Sequence, residues 1–268
     1  MLPPYIEVER EVARLNESLG VDDPLMPDES LLLRVSPAAT LGPFRELALN
    51  SFRVLRHMTH LSPESHVFDM GCGLGRVAIP LTRYLTSGTY TGVDVMADLV
   101  EEARGRISSA HPNFQFHHLD VYSGSYNKAA SSQARDVRFH FPDSGFDVIF
   151  LFSVFSHMLP EDVATYLAEF QRLLRPGGMV LATFFLMTPR AEAVIARGRT
   201  EYTFPHPHGE VRVQNPEIPE AAVCYPQPLA EALIRDSGLE QVYTSYGSWS
   251  AHPRALTGQD VIVCRKGG

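Results

Sequence analysis

Residues 66–76, HVFDMGCGLGR, place glycines at 71, 73 and 75 behind a short apolar run that carries one acid, Asp69. Alternating glycines let a backbone adopt conformations closed to other residues and let a ligand approach the main chain. Three chemistries compete for such a loop. A dinucleotide site needs G-x-G-x-x-G, with its third glycine at the close approach of helix and strand. Position 76 is Arg76 instead. A phosphate-gripping loop needs Gly-Lys followed by Ser or Thr, and none follows. Asp69, two positions before Gly71, would repel a pyrophosphate but suits a ligand with an ammonium group. Asp94 lies 19 residues past Gly75 (94 − 75), where a carboxylate can accept hydrogen bonds from two ribose hydroxyls. Asp120, in HHLDV, is placed to accept from an exocyclic amine such as adenine N6, with Val121 against the ring. The set asks for a nucleoside with a cationic tail that is not a phosphate.

His157, in SVFSHMLPEDV, follows the apolar run at 146–152. An imidazole titrates near neutrality, which suits a general base for a hydroxyl nucleophile. The other reading is a residue that packs over the ligand or caps the next helix. His206 and His208 with Glu210 form an HxH group in a proline-rich loop, a spacing that reads as a solvated hairpin tip. His117 and His118 alternate across a strand and read as structural. No metal is expected. Tyr225, Trp249 and Arg34 are candidate substrate contacts. The two aromatics read equally well as core.

The elements that must position these residues alternate. Strands are expected at 67–70, 89–95, 114–121, 146–152 and 179–185, the fourth a continuous apolar run like a strand buried on both faces. Between them, Val77, Leu81, Tyr84 and Leu85 recur at helical spacing, although Pro80 interrupts that pattern. Met96, Val100, Ala103 and Ile107 make a second helical face. A third starts at Pro160-Glu161-Asp162 and stops at RPGG (175–178). A helix at 228–237 and strands near 239–245 and 259–265 follow. Strands alternating with helices predict a doubly wound, mostly parallel α/β sheet. Outside the alternation lie a largely helical segment at 1–60, a polar insertion at 122–145, and a proline-rich excursion at 186–227 with a candidate hairpin, EYTF-PHPHG-EVRVQ.

The bulk properties narrow the function. A formal charge of −8 argues against broad nucleic-acid binding, which needs basic surface. The three cysteines, Cys72, Cys224 and Cys264, are far apart and support neither a disulfide framework nor a zinc site. MLPPYIEVEREVARL lacks a signal-peptide apolar core, and no run approaches the ~18 apolar residues of a membrane span. A cytoplasmic protein with no membrane partner is expected.

The ordered motifs resemble those of class I S-adenosylmethionine-dependent methyltransferases. VFDMGCGLGR resembles the glycine-loop motif, YTGVDVMADLVEEAR the acidic ribose motif and FQFHHLDV the adenine motif. FDVIFLFSVFSHM resembles the motif after strand four, and LLRPGGMVLATFF the entry to strand five. YGSWS and GQDVIVCRK resemble the last two strands. The resemblance implies a Rossmann-like seven-stranded sheet of order 3-2-1-4-5-7-6, with strand seven antiparallel. It implies an N-terminal helical cap at 1–60 and a cofactor-binding domain at 61–268, with 186–227 inserted as a substrate lid. Asp69, Gly71, Cys72, Gly73 and Gly75 would surround the methionyl part of S-adenosylmethionine. Asp94 and Val95 would take the ribose, Asp120 and Val121 the adenine, and Phe152 and Ser153 the border where strand four ends. Metal-dependent relatives carry acids beyond strand four, where Ser153 and Val154 stand here. The expected activity is O-methylation of a small-molecule acceptor, a saccharide or specialised metabolite, with S-adenosylhomocysteine as product. N-methylation, a non-methylating use of the cofactor, and a nicotinamide oxidoreductase are the alternatives. The last is disfavoured by Arg76, and self-association is left open.

Overall fold

The computed structural model describes residues 2–35, 39–130 and 132–268. Helices α1 (Tyr5–Ser18), α2 (Glu29–Val35) and α3 (Leu41–Met58) come first. They are followed by β1 (His66–Met70), α4 (Ala78–Leu81), β2 (Thr89–Asp94), α5 (Ala97–Ala103), β3 (Phe114–His118) and β4 (Phe146–Leu151). Next come α6 (Pro160–Leu173), β5 (Leu174–Met187), α7 (Pro189–Ala196), β6 (His206–His208), β7 (Val211–Val213) and β8 (Val223–Pro226). Helix α8 (Gln227–Asp236) and strands β9 (Leu239–Ser245) and β10 (Asp260–Lys266) complete the chain. The strands hydrogen-bond in the order β3-β2-β1-β4-β5-β8-β7-β6, with β10 also on β5 and β9 on β10. The path β3-β2-β1-β4-β5-β10-β9 is the expected 3-2-1-4-5-7-6 order, and β10 runs antiparallel to both neighbours. This is a Rossmann-like, doubly wound α/β sheet. Among the described residues no helix is long and apolar enough to cross a membrane.

The chain divides into two compact units, Met1–Leu119 with Phe146–Phe150, and Asp120–Gly145 with Leu151–Gly268. In the first, β1 runs parallel to both β2 and β4. Val67, Phe68, Asp69 and Met70 are all buried, which is why this strand reads as an unbroken run and not an alternation. Helix α1 buries Val8, Val12 and Leu15, and α3 buries Ala48, Phe52 and Leu55, each at helical spacing. The buried Arg56 of α3 ties to α1 through both oxygens of Glu11 (2.7 and 2.9 Å) and also donates to the Leu61 carbonyl (2.6 Å).

The helix expected through Leu85 is instead a single turn. After Pro80, the N–H groups of Arg83 and Tyr84 bond three residues back, and α4 tightens into turns.

In the second unit, β5 serves two partners along its length. Met179–Phe184 pair antiparallel with β10, and Phe185–Met187 pair parallel with β8. The predicted hairpin forms, but its loop is shorter than expected. The residues His206–His208 are strand β6 itself, paired to β7 around a two-residue Gly209-Glu210 turn with Gly209 at φ +57°. The polar insertion is partly anchored. The Phe139 N–H donates to the Glu169 carboxylate (2.8 Å), and its ring meets Tyr166 edge to face.

Asp260 organises the junction where β8 joins β5. Its buried carboxylate accepts from the Leu186 N–H (2.8 Å), the Gly247 N–H (2.8 Å) and the Trp249 indole N–H (2.7 Å). Asp260→Leu leaves three buried donors without an acceptor and is expected to destabilise the protein by about 3 kcal/mol or more. Urea denaturation followed by circular dichroism measures this, and a loss under about 1 kcal/mol would contradict it.

Candidate active site

The glycine loop is held by backbone bonds from β2. The N–H groups of Gly71 and Cys72 both donate to the Val93 carbonyl, at 2.8 and 3.1 Å. Gly71, Gly73 and Gly75 sit at φ +81°, +49° and +75°, the left-handed region that other residues enter at a cost. A Cβ on Gly75 would lie 2.6 Å from the Ile107 side chain. Gly75 therefore fills the close-packing role that a dinucleotide fingerprint gives to the next position.

Asp94 is buried at the end of β2, and its carboxylate stitches the loop. One oxygen accepts the Gly73 N–H (2.7 Å) and the other accepts the Met96 N–H (2.9 Å). The Val95 backbone also donates to this carboxylate, whose two oxygens together offer about four acceptor sites. Val95, beside it, is half-buried.

Asp69 is buried and accepts the Tyr90 hydroxyl at 2.6 Å. Burial pushes its carboxyl up to about 7, against the opposing pull of the Tyr90 hydrogen bond and the nearby Arg76 charge. Burial also pulls the Arg76 guanidinium down, and its Nε is buried with no hydrogen-bond partner. The Cys72 thiol is pushed well up by burial and forms wall, not nucleophile. The N-terminal segment reaches this loop, since Leu32 of α2 packs with Leu74 and Leu99.

Arg34, a candidate substrate contact, lies on α2. It forms an exposed ion pair with Asp98 at 2.5 Å, on the first turn of α5.

The remaining candidates lie in the second unit. Asp120 does not close β3, which ends at His118. It is exposed, with the Asn127 amide donating at 3.5 Å, while Val121 is buried. Phe152 is half-buried. Ser153 holds φ +61°, unusual for a residue with a side chain. Its N–H donates to Thr183 Oγ1 (2.7 Å), and its hydroxyl donates to Gln259, which in turn donates to Ser156 (3.1 and 3.0 Å).

His157 closes a short helical turn, Phe155–His157. Its Nδ1 lies 3.0 Å from the Glu220 carbonyl, and Tyr126 packs edge-on at 5.7 Å. A carbonyl only accepts, so Nδ1 carries the hydrogen, and Nε2 of the neutral ring holds a lone pair. Burial holds the imidazole below its usual value, partly offset by the backbone bonds at Glu220 and Ala221. The ring is therefore neutral at physiological pH.

Two predicted substrate walls are core. Tyr225 is fully buried and its hydroxyl is spent on the Met158 carbonyl (2.6 Å). Trp249 is buried against Phe185 and Phe204, with its indole on Asp260. His206 and His208 are exposed on β6, and no group of three metal-ligating side chains exists among the described residues. Tyr90, Gln259 and Glu220 were not legible as site residues. Tyr90 and Gln259 stand inside YTGVDVMADLVEEAR and GQDVIVCRK without being marked out there, Glu220 lies outside any motif, and each acts through a partner distant in sequence.

Residues 67–178 match the family described as "Methyltransferase domain". A probable methyltransferase, ltbC, of Aspergillus luteorubrus is 25% identical over 128 residues, covering 47% of this chain and 41% of that one. The fatty-acid O-methyltransferase of Mycolicibacterium smegmatis is 35% identical over 118 residues, covering 44% and 36%. The matches thus span about two fifths of these relatives' own length. A solved protein of Pyrococcus horikoshii OT3 shares the fold at a TM-score of 0.58 and 16% identity, covering 88% of this chain and 98% of that one. Residues 67–178 are thus similar to a methyltransferase domain, and the strand order is the one that the resemblance to class I S-adenosylmethionine-dependent methyltransferases implies. S-adenosylmethionine is the cofactor of that class, and the first unit's residues fit it. The glycine loop carries no side chain over Gly73, and Asp94 keeps acceptor capacity for ribose hydroxyls.

Asp69 gives the ligand-free protein a pH dependence. Folded, the carboxyl keeps its proton up to about pH 7, whereas unfolded it ionises near 3.8. Between those values the folded state binds more protons, so stability falls as pH rises through the window and levels off above it. Asp69→Asn should remove its share of that slope, which is at most about 1.4 kcal/mol per pH unit. Urea titrations across the window measure it, and equal slopes for both proteins would rule the assignment out.

Proposed function

We propose that this protein methylates a hydroxyl of a small-molecule acceptor, a saccharide or specialised metabolite, in the cytoplasm, with His157 as general base. The observation that carries the reading is the bond from Nδ1 to the Glu220 carbonyl, which leaves Nε2 of a neutral ring as acceptor. The fatty-acid O-methyltransferase among the relatives supports oxygen as the nucleophile. The acidic balance of the chain supports a small acceptor over a nucleic acid.

S-adenosylmethionine supplies a methyl group on positive sulfur, so forming the carbon–oxygen bond is matched by carbon–sulfur cleavage, with that electron pair left on sulfur. His157 Nε2 takes the hydroxyl proton as the new bond forms, which prevents a charged oxonium product. Asp94 and Val95 hold the ribose, and Asp69, Gly71, Cys72, Gly73 and Gly75 the methionyl part. Val121 packs on the adenine ring and Asp120 offers an exposed acceptor to its amine, while Phe152 and Ser153 border the cofactor where β4 ends. Residues 1–60 form a cap, and residues 186–227 a lid over the acceptor. Desolvation by such covers strengthens every electrostatic contact inside.

The test uses transfer of a labelled methyl from S-adenosylmethionine to a panel of phenols, fatty acids and glycosides. His157→Gln should lower kcat ~10²–10⁴-fold and leave S-adenosylhomocysteine affinity unchanged. The acid limb of the wild-type profile should lie below the ordinary imidazole value of 6.5, because burial favours the neutral ring. Unchanged turnover in the variant would sink the base assignment and point to an amine acceptor.

A further inference from the structure

Glu220 touches two segments at once. Its residue lies in the short turn Pro219–Ala221. Its backbone carbonyl receives the hydrogen of His157 Nδ1 at 3.0 Å, and its carboxylate receives the Gly124 N–H at 2.7 Å. Gly124 belongs to the polar insertion, and two residues further on Tyr126 sets its ring edge-on against the same imidazole. A Cβ at position 124 would lie 2.2 Å from the Glu220 carboxylate, so any larger residue there would push that carboxylate out of its place. Three segments distant in sequence thus converge on one ring, and the Glu220 side chain joins two of them.

We propose that Glu220 is a positioning residue for His157, staking its own turn to Gly124 so that its carbonyl holds the imidazole in the Nδ1–H form. This rests on the reading of His157 as the base. A neutral imidazole free in water favours the Nε2–H form, which would present a hydrogen where the acceptor's proton must arrive. The bond to the turn reverses that preference. A backbone N–H on a carboxylate is a charge-assisted hydrogen bond and is stronger than a neutral one, which suits it to pinning a short turn. The other charges at this junction are Asp162 and Glu161 on the first turn of α6 and Arg135 of the insertion. Burial, reinforced by the Glu220 charge, raises the Asp162 carboxyl, and Arg135 offsets part of this. The junction is acidic, and the Gly124 N–H is the donor that meets the Glu220 carboxylate within it.

The experiment needs no acceptor. Protein with ¹⁵N-labelled histidine, with His157 assigned by comparison with His157→Gln, reports the hydrogen on each ring nitrogen well above the imidazole titration. Wild type should show Nδ1–H. Glu220→Ala should lower the ratio of Nδ1–H to Nε2–H about tenfold or more. Glu220→Gln should restore it, because its amide oxygen still accepts the Gly124 N–H. Gly124→Ala should reproduce the Glu220→Ala effect from the other side of the contact. S-adenosylhomocysteine affinity should stay the same in all of them. An Nε2–H wild type, or a Glu220→Ala tautomer equal to wild type, overturns the proposal. If Glu220→Ala does not fold, Gly124→Ala against Glu220→Gln decides it by the same ratio. The tautomer judges Glu220 whether or not His157→Gln retains turnover, so the two readings fail separately.

Discussion

The first unit depends on one carboxylate accepting two backbone hydrogens. Asp94 ends β2 and takes the N–H groups of Gly73 and Met96, so a single side chain fixes the glycine loop in front of it and the start of α5 behind. Hydrogen bonds to a charged group contribute roughly 1.5–3 kcal/mol each, while burying the carboxylate costs a comparable amount or more. The net effect on stability is small. What the arrangement secures is geometry: three left-handed glycines held in one conformation before any ligand arrives. Asp69 extends this on the adjacent strand, buried under the Tyr90 hydroxyl at the foot of the same loop.

The second unit uses the same device with different donors. Asp260 gathers two backbone hydrogens and an indole, and Gln259, next to it in sequence, links the hydroxyls of Ser153 and Ser156. Ser153 keeps a left-handed backbone that its bond to Thr183 supports. Strained residues persist where surrounding contacts over-determine them, and this one lies two residues past the end of β4. The neighbouring turn delivers His157 with one nitrogen committed and the other left as an acceptor.

The strands and the glycine loop were legible in the sequence because local rules decide them. A run such as FDVIFLF has few alternatives to a buried strand, and glycines at alternate positions have few alternatives to a turn. Pro80 made the helix after the loop shorter than its apolar spacing suggested. The aromatics, which read equally well as substrate wall or core, were undecided for a different reason. Tyr225 and Trp249 carry a polar atom that suits a substrate wall, yet both spend it on a distant partner, Met158 and Asp260, that no spacing rule pairs with them. The pairing of Arg34 with Asp98 was hidden in the same way, since Asp98 lies on another helix. Tyr90 and Glu220 were invisible as site residues because each acts through a contact made only by the tertiary fold.

Strand β5 carries a further consequence. Its ladder with β10 ends at Phe184, and the three residues beyond it hold β8. The added β6–β8 layer therefore hangs from an overhang of the strand and not from the central ladder. Chain can be lengthened, shortened or exchanged between Met187 and Pro226 without breaking a single rung between β5 and β10. One strand with two registers acts as a splice point between the central ladder and the added layer.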